Sequence, residues 1–557
     1  MIEPTCKQIQ IRDLEDPSLL IIAPAGCGKT EALALRVQGM LRRGGVVAPR
    51  KVLVITFSKR ARDNIRERLY SYLPPAILRE RVTVTNFHGL SSRLILAHAA
   101  VLGLRNDLLF PESDWVGQRC RELGYGKQAS SVQRDLREAK QEKRTDQEVD
   151  KYLRQPGREI ALGIERERVA EGRLTYDDLP RLAELILAEE SVADLYRAHF
   201  SAVIVDEFQD LTPQQHRIVT ALGRGRTTYA GDLAQGIYGF AGARPQEIDA
   251  VVRAECSAVV EFSESHRSSP AVLATVNSLT SLTLGTELTS ARPDSWPHGG
   301  LAAGVSHATA AHEAAWVVQY AKGILERAPR QRVAVIARTG PRRRFADTAF
   351  DDAGIETYRW DDAILDTDTA QVLRDLLRRV DVPTFRGAAD RLAYLRELVS
   401  FESLVDLRDG LQEALIWVHD LLFDELSPDE IRKRIRIGDG ATLTNQPGIH
   451  LLTGHAGKGQ QFDWVFVLGM EDDSIPFYSA NTDESVVEEA RVLSVMISRA
   501  RHGVILSYAN SVPDFYNKPR RKNPSRFLTQ LAAANLNDTE ALRSWLNTAD
   551  WSALSMR

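Results

Sequence analysis

Cysteine is scarce in this chain, and long apolar runs are missing. The four cysteines among 557 residues are scattered singly, with no Cys-x-x-Cys pair. Zinc ribbons, iron–sulfur clusters and disulfide scaffolds need close, repeated cysteine spacings, so this pattern argues against all three. The N-terminus has neither the basic region nor the apolar core of a signal peptide, and no run approaches the ~18 apolar residues of a membrane-spanning helix. We therefore expect a cytoplasmic protein without a membrane segment.

A strong net charge is also missing. Lys and Arg total 71 against 75 Asp and Glu, which gives a formal net charge of -4. Any surface that binds nucleic acid must therefore be a local basic groove rather than a global positive field. The length predicts about three to four domains, each large enough to bury its own core.

What the chain does contain is a candidate phosphate-binding loop near its N-terminus. The apolar run LLII is followed by APAGCGKT and then by a helical pattern. Gly26 and Gly28 permit positive φ, which turns backbone N–H groups towards a phosphate at the helix N-terminus. Lys29 would reach the β- and γ-phosphates and Thr30 a Mg²⁺ ion. The candidate nucleotide-binding residues of this loop are Ala23, Pro24, Ala25, Gly26, Cys27, Gly28, Lys29 and Thr30.

Repeated strand–loop–helix units follow this loop and predict a parallel α/β sheet. KVLVIT and RVTVTN are β-branched runs that each lead into a helical pattern. In such sheets the carboxyl ends of the strands carry the ligand chemistry. Phe57, Phe87 and His88 stand at two of these ends. Core packing and stacking on a base are both compatible with the two phenylalanines.

Two later strands end in polar residues suited to hydrolysis of a nucleoside triphosphate. SAVIV is followed by Asp206, a candidate Mg²⁺ ligand through water, and by Glu207, a candidate for orienting the attacking water. TTYAG precedes Gln235, which is suited to sensing a γ-phosphate. Tyr238 and Phe240 come next in a glycine-rich loop, where base stacking and turn packing are both open.

Between these strands lies a highly charged helical stretch, from about residue 90 to residue 189. Charges of both signs alternate along it, as in QRDLREAKQEKRTDQEVDKYLRQ. Such a pattern is typical of a solvated helical subdomain, and we interpret it as an insertion in the sheet.

The ordered set of motifs resembles the superfamily 1A DNA helicases of the UvrD/Rep/PcrA type. Gln8 is similar to the adenine-reading glutamine that precedes the phosphate loop. ITFSKRA and TNFHGL resemble the single-strand-contacting segments, and LTYDDL, DEFQD and GDLAQGIYGFAGA resemble the segments that follow. In the second half, ESHRS, TGHAGKGQQF, EEARVLSVMISRA and PSRFL resemble further family motifs. The resemblance covers nearly the whole chain.

The resemblance assigns roles to individual residues. Arg267 would reach the γ-phosphate, His266 would replace the tyrosine that stacks on adenine, and Arg499 would be an arginine finger. Gln461 stands where the family carries glutamate near the nucleotide. The implied catalytic residues are Lys29, Glu207, Gln235, Arg267 and Arg499; further nucleotide contacts are Gln8, His266 and Gln461; the metal-side residues are Thr30 and Asp206; the DNA contacts are Phe57, Phe87, His88, Tyr238, Phe240, Thr453 and His455.

The same resemblance implies an α/β fold with two RecA-like P-loop domains, whose parallel sheets are flanked by helices, and with helical insertions. We expect domain 1A at residues 1–90 and 190–263, insertion 1B at 91–189, domain 2A at 264–382 and 446–557, and a reduced insertion 2B at 383–445.

The function implied is an ATP- and Mg²⁺-dependent translocase or helicase on single-stranded or tailed duplex DNA, with 3′→5′ polarity. In the family the 2B insertion gates contact with a duplex, so a reduced 2B insertion of about sixty residues implies translocation more directly than strand separation. One alternative is the motor subunit of an assembly with a protein such as a nuclease, as in a Gabija-like phage-defence complex. Another is an NTP-gated binding or sensing module.

Overall fold

The computed structural model describes residues 3–105, 107–111, 115–360, 364–365, 367–388, 390–399, 401, 408–423, 426–437, 445–456, 458–514 and 517–555. Two compact units make up the chain. The first comprises Met1–Gly300, Ser479–Ser498 and Thr529–Asn535, and the second comprises Leu301–Tyr478, Arg499–Leu528 and Leu536–Arg557. The chain therefore crosses between the units several times.

The strands, numbered in chain order, are β1 (Leu19–Ile22), β2 (Lys51–Thr56), β3 (Val82–Asn86), β4 (Phe200–Asp206), β5 (Thr227–Gly231), β6 (Ala258–Glu261), β7 (Glu264–Ser265), β8 (Thr289–Ser290), β9 (Leu301–His307), β10 (Arg332–Ala337), β11 (Thr357–Arg359), β12 (Ile364–Leu365), β13 (Arg436–Ile437), β14 (Gly448–Thr453), β15 (Phe462–Leu468), β16 (Ala500–Ala509), β17 (Ser511–Pro513) and β18 (Pro519–Arg521).

The helices are α1 (Cys6–Asp13), α2 (Lys29–Arg42), α3 (Lys59–Tyr70), α4 (Pro75–Arg81), α5 (Phe87–His98), α6 (Trp115–Glu122), α7 (Ala129–Lys140), α8 (Asp146–Leu153), α9 (Glu159–Glu171), α10 (Asp178–Leu187), α11 (Glu190–His199), α12 (Pro213–Gly223), α13 (Pro245–Glu255), α14 (Pro270–Asn277), α15 (Thr280–Thr283), α16 (Ala310–Arg327), α17 (Gly340–Asp352), α18 (Thr367–Arg379), α19 (Val382–Gly387), α20 (Arg391–Leu398), α21 (Arg408–Phe423), α22 (Pro428–Arg434), α23 (Asp483–Ser498), α24 (Leu528–Leu531), α25 (Thr539–Thr548) and α26 (Trp551–Ser555).

The first unit is built on a six-stranded parallel sheet in the order β3-β2-β4-β5-β1-β6. Side chains alternate along β1, so that Leu19 and Ile21 enter one hydrophobic core and Leu20 and Ile22 enter another. Burial on both faces explains why the strand reads as a continuous apolar run. Because β5 lies between β1 and β4 and all three are parallel, the loops that follow them emerge at the same edge of the sheet.

Helices α6 to α9 form a separate core around Val132 and Ile164, beside the sheet of the first unit. A buried ion network joins them to α10. Lys140 Nζ lies 2.7 Å from Glu165 and 2.9 Å from Asp178, and both Lys140 and Asp178 have fully buried side chains. Opposite charges compensate one another here, which a buried ionised group requires.

The second unit contains another six-stranded parallel sheet, in the order β11-β14-β10-β15-β16-β9. Helices α16 and α17 pack on it, with Val317, Ala346 and Phe350 in the core. The expected α/β fold, with parallel sheets flanked by helices, is therefore confirmed in both units.

Helices α18 to α22 form a smaller helical module with its own core, which includes Leu373, Phe385, Leu415 and Ile431. Part of the predicted 2B insertion, residues 389, 400, 402–407, 424–425 and 438–444, lies outside the described residues. Across the described ranges, no helix combines the length and the apolarity needed to cross a membrane.

Candidate nucleotide and DNA-binding site

The candidate phosphate loop leaves the sheet at the end of β1. The Ala23 N–H donates to the carbonyl of Gly231, at the end of β5, at 2.9 Å. Gly26 and Gly28 have φ values of 84° and 85°, the left-handed conformation that glycine tolerates. Gly28 is the N-cap of α2 and supplies no side-chain cap, so the first N–H groups of the helix face the loop as anion donors.

Two close approaches explain the glycines. A Cβ at Gly26 would lie 2.6 Å from both Arg267 Cβ and Ser265 Oγ, and a Cβ at Gly28 would lie 2.5 Å from Gln8 Nε2. Neither position has room for a side chain in this arrangement. The loop is therefore wedged between α1 and the segment that contains Arg267.

The structure also brings Gln8 and His266 to the loop. Gln8 Nε2 donates to the Gly28 carbonyl at 3.3 Å, while its Oε1 accepts from the Thr5 N–H at 2.9 Å. The His266 N–H donates to the Gly26 carbonyl at 3.0 Å. The sequence-predicted residues Gln8, His266 and Arg267 thus line the loop in one compact unit.

Lys29, the first residue of α2, reaches the carboxylates at the end of β4. Its Nζ lies 3.2 Å from Asp206 Oδ1 and 2.5 Å from Glu207 Oε2, and only 12% of its side chain is exposed. Burial opposes the charged form of Lys29, but the two carboxylates outweigh it and hold the pKa of Lys29 above its ordinary value. Burial raises the pKa of Asp206.

Glu207 has left-handed backbone torsions, φ 58° and ψ 52°, which are costly for a residue with a side chain. The turn places its carboxylate between Lys29 and Gln209, whose Nε2 donates to Glu207 Oε2 at 2.7 Å. Gln209 Oε1 in turn accepts from the Asp232 N–H at 3.1 Å. Finally, Gln235 Nε2 donates to Asp232 Oδ2 at 2.9 Å. A chain of contacts therefore links Lys29 to Gln235 across three strand ends.

Sequence reasoning missed Gln209 and Asp232 as parts of this site. Both are almost completely buried, and burial raises the pKa of Asp232. The signal was present, because Asp232 directly follows β5 and Gln209 lies three residues after the end of β4. Polar residues at neighbouring parallel strand ends are expected to converge.

The donor set fits a nucleoside triphosphate. The glycine loop supplies backbone N–H groups and α2 supplies a helix N-terminus. Lys29 Nζ supplies a positive charge beside the loop, and Asp206 Oδ1, 3.2 Å away, supplies a negative one. A phosphate oxygen would satisfy the first and a cation the second.

Aromatic side chains form two groups near the carboxyl edge of the same sheet. Phe57 stacks on Tyr238 with ring centroids 4.9 Å apart and planes at 22°, and Tyr238 lies 5.9 Å from Phe240. Phe240 is 62% exposed. The second group pairs His88 with Tyr176, with centroids 5.4 Å apart. Stacking surfaces of this kind suit single-stranded nucleic acid.

Phe87 is not brought into either group. It is 4% exposed and packs in the hydrophobic core with Leu90 and Leu94. Tyr176, which sequence reasoning did not select, takes a position beside His88 instead. The LTYDDL segment that contains it offered the only sequence signal.

The second unit gathers its candidate residues around the loop that follows β14. Thr453 ends that strand, and Gln461 directly precedes β15. Buried Arg499 donates to the carbonyls of Gly454 at 2.8 Å and Ala456 at 2.7 Å. Its guanidinium therefore braces the loop between the two strands.

His455 lies on the same loop. Its Nδ1 is 3.2 Å from Arg338 Nη1. Arg338 follows the end of β10, the strand that neighbours β14 in the sheet. The structure thus brings Thr453, His455, Gln461 and Arg499 together within the second unit.

Comparison with known proteins identifies the family. Residues 5–254 match the UvrD/REP helicase N-terminal domain, and residues 415–511 match the UvrD-like helicase C-terminal domain. The two matches together span more than half of the chain.

Similar proteins extend the match. The ATP-dependent DNA helicase UvrD2 of Mycobacterium tuberculosis is 27% identical, over 92% of this chain and 79% of that protein. Rep of Escherichia coli is 24% identical, over 93% and 92% of the two chains. DNA helicase II of E. coli is 23% identical, over 92% and 85%. This chain belongs to the UvrD/Rep family of ATP-dependent DNA helicases, whose motor domains are RecA-like.

Proposed function

We propose that this chain is an ATP- and Mg²⁺-dependent motor that moves 3′→5′ along single-stranded DNA and can open a tailed duplex. One observation carries the proposal: the ion pairs of Lys29 with Asp206 and Glu207 continue as hydrogen bonds to Gln235. Gln235 lies three residues before Tyr238, which belongs with Phe240 to the glycine-rich loop of residues 236–242, the aromatic loop. The nucleotide site and the stacking surface therefore share one short segment.

The roles of the site residues follow from their chemistry. Thr30 and Asp206 would hold Mg²⁺, which when bound neutralises charge on the β- and γ-phosphates. Glu207 accepts a proton from, or orients, the attacking water, and Lys29 binds the phosphate oxygens. Arg267, whose Cβ lies close to Gly26 of the glycine loop, would bind the γ-phosphate.

The remaining nucleotide contacts are assigned in the same way. Gln8 would read the base through its amide, His266 would stack on it, and Gln461 would bind from the second domain. Arg499 would act as an arginine finger, and such fingers contribute roughly 10³–10⁵ in rate. The proposed domains are those expected from the sequence, with residues 383–445 as a reduced 2B insertion.

DNA would lie on the exposed aromatic groups. Phe57, Tyr238 and Phe240 form one stacking surface, and His88 contributes to the other. Thr453 and His455 would contact the backbone from the second domain. Stacking tolerates any base, which suits a motor that travels along a strand without reading its sequence.

The test measures ATP turnover with and without single-stranded oligo(dT), and unwinding of 3′-tailed and 5′-tailed duplexes. We expect DNA to stimulate turnover and only the 3′-tailed duplex to open. Lys29→Ala should abolish turnover, whereas Arg499→Ala should lower it severely and leave nucleotide binding largely intact. Turnover that ignores DNA would contradict the translocase proposal.

A second candidate function is supported by the small size of the helical module α18–α22. This module offers less protein to engage a duplex than a full-length 2B insertion would. In that case the chain is a motor subunit that needs a protein partner such as a nuclease, as in phage defence. Stimulated turnover without opening of either duplex would favour this candidate.

A further inference from the structure

Helix α7 of the charged helical stretch contacts the backbone of the aromatic loop. Arg137 Nη1 donates to the carbonyl of Phe240 at 2.8 Å, and Gln141 Nε2 donates to the carbonyl of Ala241 at 3.3 Å. A Cβ at Gly242, where φ is +94°, would lie 1.8 Å from Gln141 Nε2. The loop therefore passes directly against the end of α7.

Arg137 also lies between the two aromatic groups. Its Nε is 4.0 Å from Asp177 Oδ1, and the preceding residue, Tyr176, pairs with His88. One guanidinium thus contacts the backbone of the Phe240 loop and the carboxylate beside Tyr176. It is placed to fix the distance between the two stacking surfaces.

The opposite side of the loop is held by α23. The Gly239 N–H donates to Glu488 Oε1 at 3.0 Å, and a Cβ at Gly239 would lie 2.6 Å from Glu488 Oε2. Phe240 is 62% exposed, so it buries little of its surface in the core of the unit. The anchors on its backbone therefore have the larger part in setting its orientation.

We propose that Arg137 and Gln141 are positioning residues. They hold the backbone of the aromatic loop in the position at which a base can stack on its rings. This inference rests on the proposed function, because it assumes that Tyr238 and Phe240 contact DNA. The helical stretch then sets the affinity for a single strand from outside the nucleotide site. Neither side chain touches the phosphate loop in its described contacts.

The experiment follows ATP turnover of the full chain as a function of oligo(dT) concentration. Arg137→Ala should raise the DNA concentration for half-maximal stimulation by about tenfold, the effect of losing one hydrogen bond from a charged group. Gln141→Ala should raise it less, because its bond is neutral and longer. Turnover without DNA and KM for ATP should stay unchanged.

Two further variants make the test specific. Arg137→Lys keeps a cationic donor and should recover part of the affinity for DNA. Arg134→Ala removes the same type of side chain from an exposed position one turn earlier on α7, and should leave DNA stimulation unchanged.

The outcomes separate the two proposals. Wild-type turnover that does not respond to DNA would overturn the proposed function. A wild type that responds, together with Arg137→Ala and Gln141→Ala variants that respond equally well, would overturn only the positioning role. An equal loss of turnover with and without DNA would also overturn it, because that pattern indicates general damage to the fold.

Discussion

Alanine substitutions at three glycines with left-handed backbone should distinguish two free-energy costs at the nucleotide site. One is the strain of left-handed backbone in a residue with a side chain, and the other is the clash of the new methyl group with its neighbours. Gly26, Gly28 and Gly44 all have positive φ, at 84°, 85° and 71°. Their surroundings differ, since a Cβ at Gly44 would meet nothing within 4 Å. Gly44→Ala is therefore a matched control that carries the backbone cost alone.

The structure ranks the three costs. Left-handed backbone costs a residue with a side chain about 1–2 kcal/mol at every position. At Gly28 the new methyl would meet Gln8 Nε2, the end of a flexible side chain; if Oε1 keeps its bond from the Thr5 N–H, only the hydrogen bond to the Gly28 carbonyl is lost, worth about 0.5–1.5 kcal/mol. At Gly26 it would meet Arg267 Cβ, which cannot move without its backbone, and overpacking of this kind costs about 1–3 kcal/mol.

The assay is equilibrium binding of a fluorescent ATP analogue, with thermal unfolding measured alongside. Because the loop relieves the clash by leaving its phosphate-binding shape, the steric cost appears as lost affinity. We expect wild-type affinity for Gly44→Ala, a loss of about tenfold for Gly28→Ala and a larger loss for Gly26→Ala, at about 1.4 kcal/mol per tenfold. Wild-type affinity in Gly26→Ala, or an equal loss in Gly44→Ala, would refute the reasoning.

Further predictions concern the aromatic residues and a buried histidine. Phe240→Ala should weaken DNA stimulation with little change in thermal stability, whereas Phe87→Ala should cost about 3–5 kcal/mol of stability because its ring is in the core; equal stability of the two variants would contradict this. Burial lowers the pKa of His450 to about 4. As the pH falls, the imidazole is therefore protonated in the unfolded chain before it is protonated in the folded chain. The free energy of unfolding keeps its full value above about pH 6.5, and this one group lowers it by about 2 kcal/mol by pH 5. His450→Phe should therefore show a smaller drop in unfolding midpoint between pH 7.5 and pH 5 than wild type, and an equal drop would show that His450 does not titrate in this range.

Much of the first-unit site could be predicted from strand ends. Lys29, Asp206, Glu207 and Gln235 each follow an apolar run, and parallel strands deliver such residues to one edge. The sequence pattern does not encode the strand order β4-β5-β1. That order brings Asp232 between the carboxylates and Gln235. Neighbour order depends on long-range pairing, which local periodicity does not encode.

The two phenylalanines show a finer limit. Both follow a β-branched strand and precede a helix, yet only Phe57 reaches the stacking surface. Helix α3 begins after the N-cap Ser58, so Phe57 lies outside it, whereas α5 begins after the N-cap Asn86, so Phe87 is its first residue. A shift of two positions relative to the cap turns one ring outwards and the other into the core.

Contacts made across long sequence separations were beyond prediction. Arg137 and Phe240 are 103 residues apart, and Glu488 and Gly239 are 249 apart. Neither Arg137 nor Glu488 differs in type from the many charged residues around it. What distinguishes each is the backbone group it meets, and only the fold supplies that.

These contacts bear on how hydrolysis would reach DNA. The hydrogen-bond chain from the nucleotide side reaches Gln235, and the first ring of the stacking surface, Tyr238, is three residues later. Ile237 lies between Gln235 and Tyr238 and is fully buried, so packing holds the backbone in place at this residue. Beyond the rings, Gly239 and Phe240 are tied through their backbone to α23 and α7. We therefore expect a movement of Gln235 to leave the backbone of the loop in place, because Ile237 holds it before the Tyr238 ring and the anchors on Gly239 and Phe240 hold it after that ring.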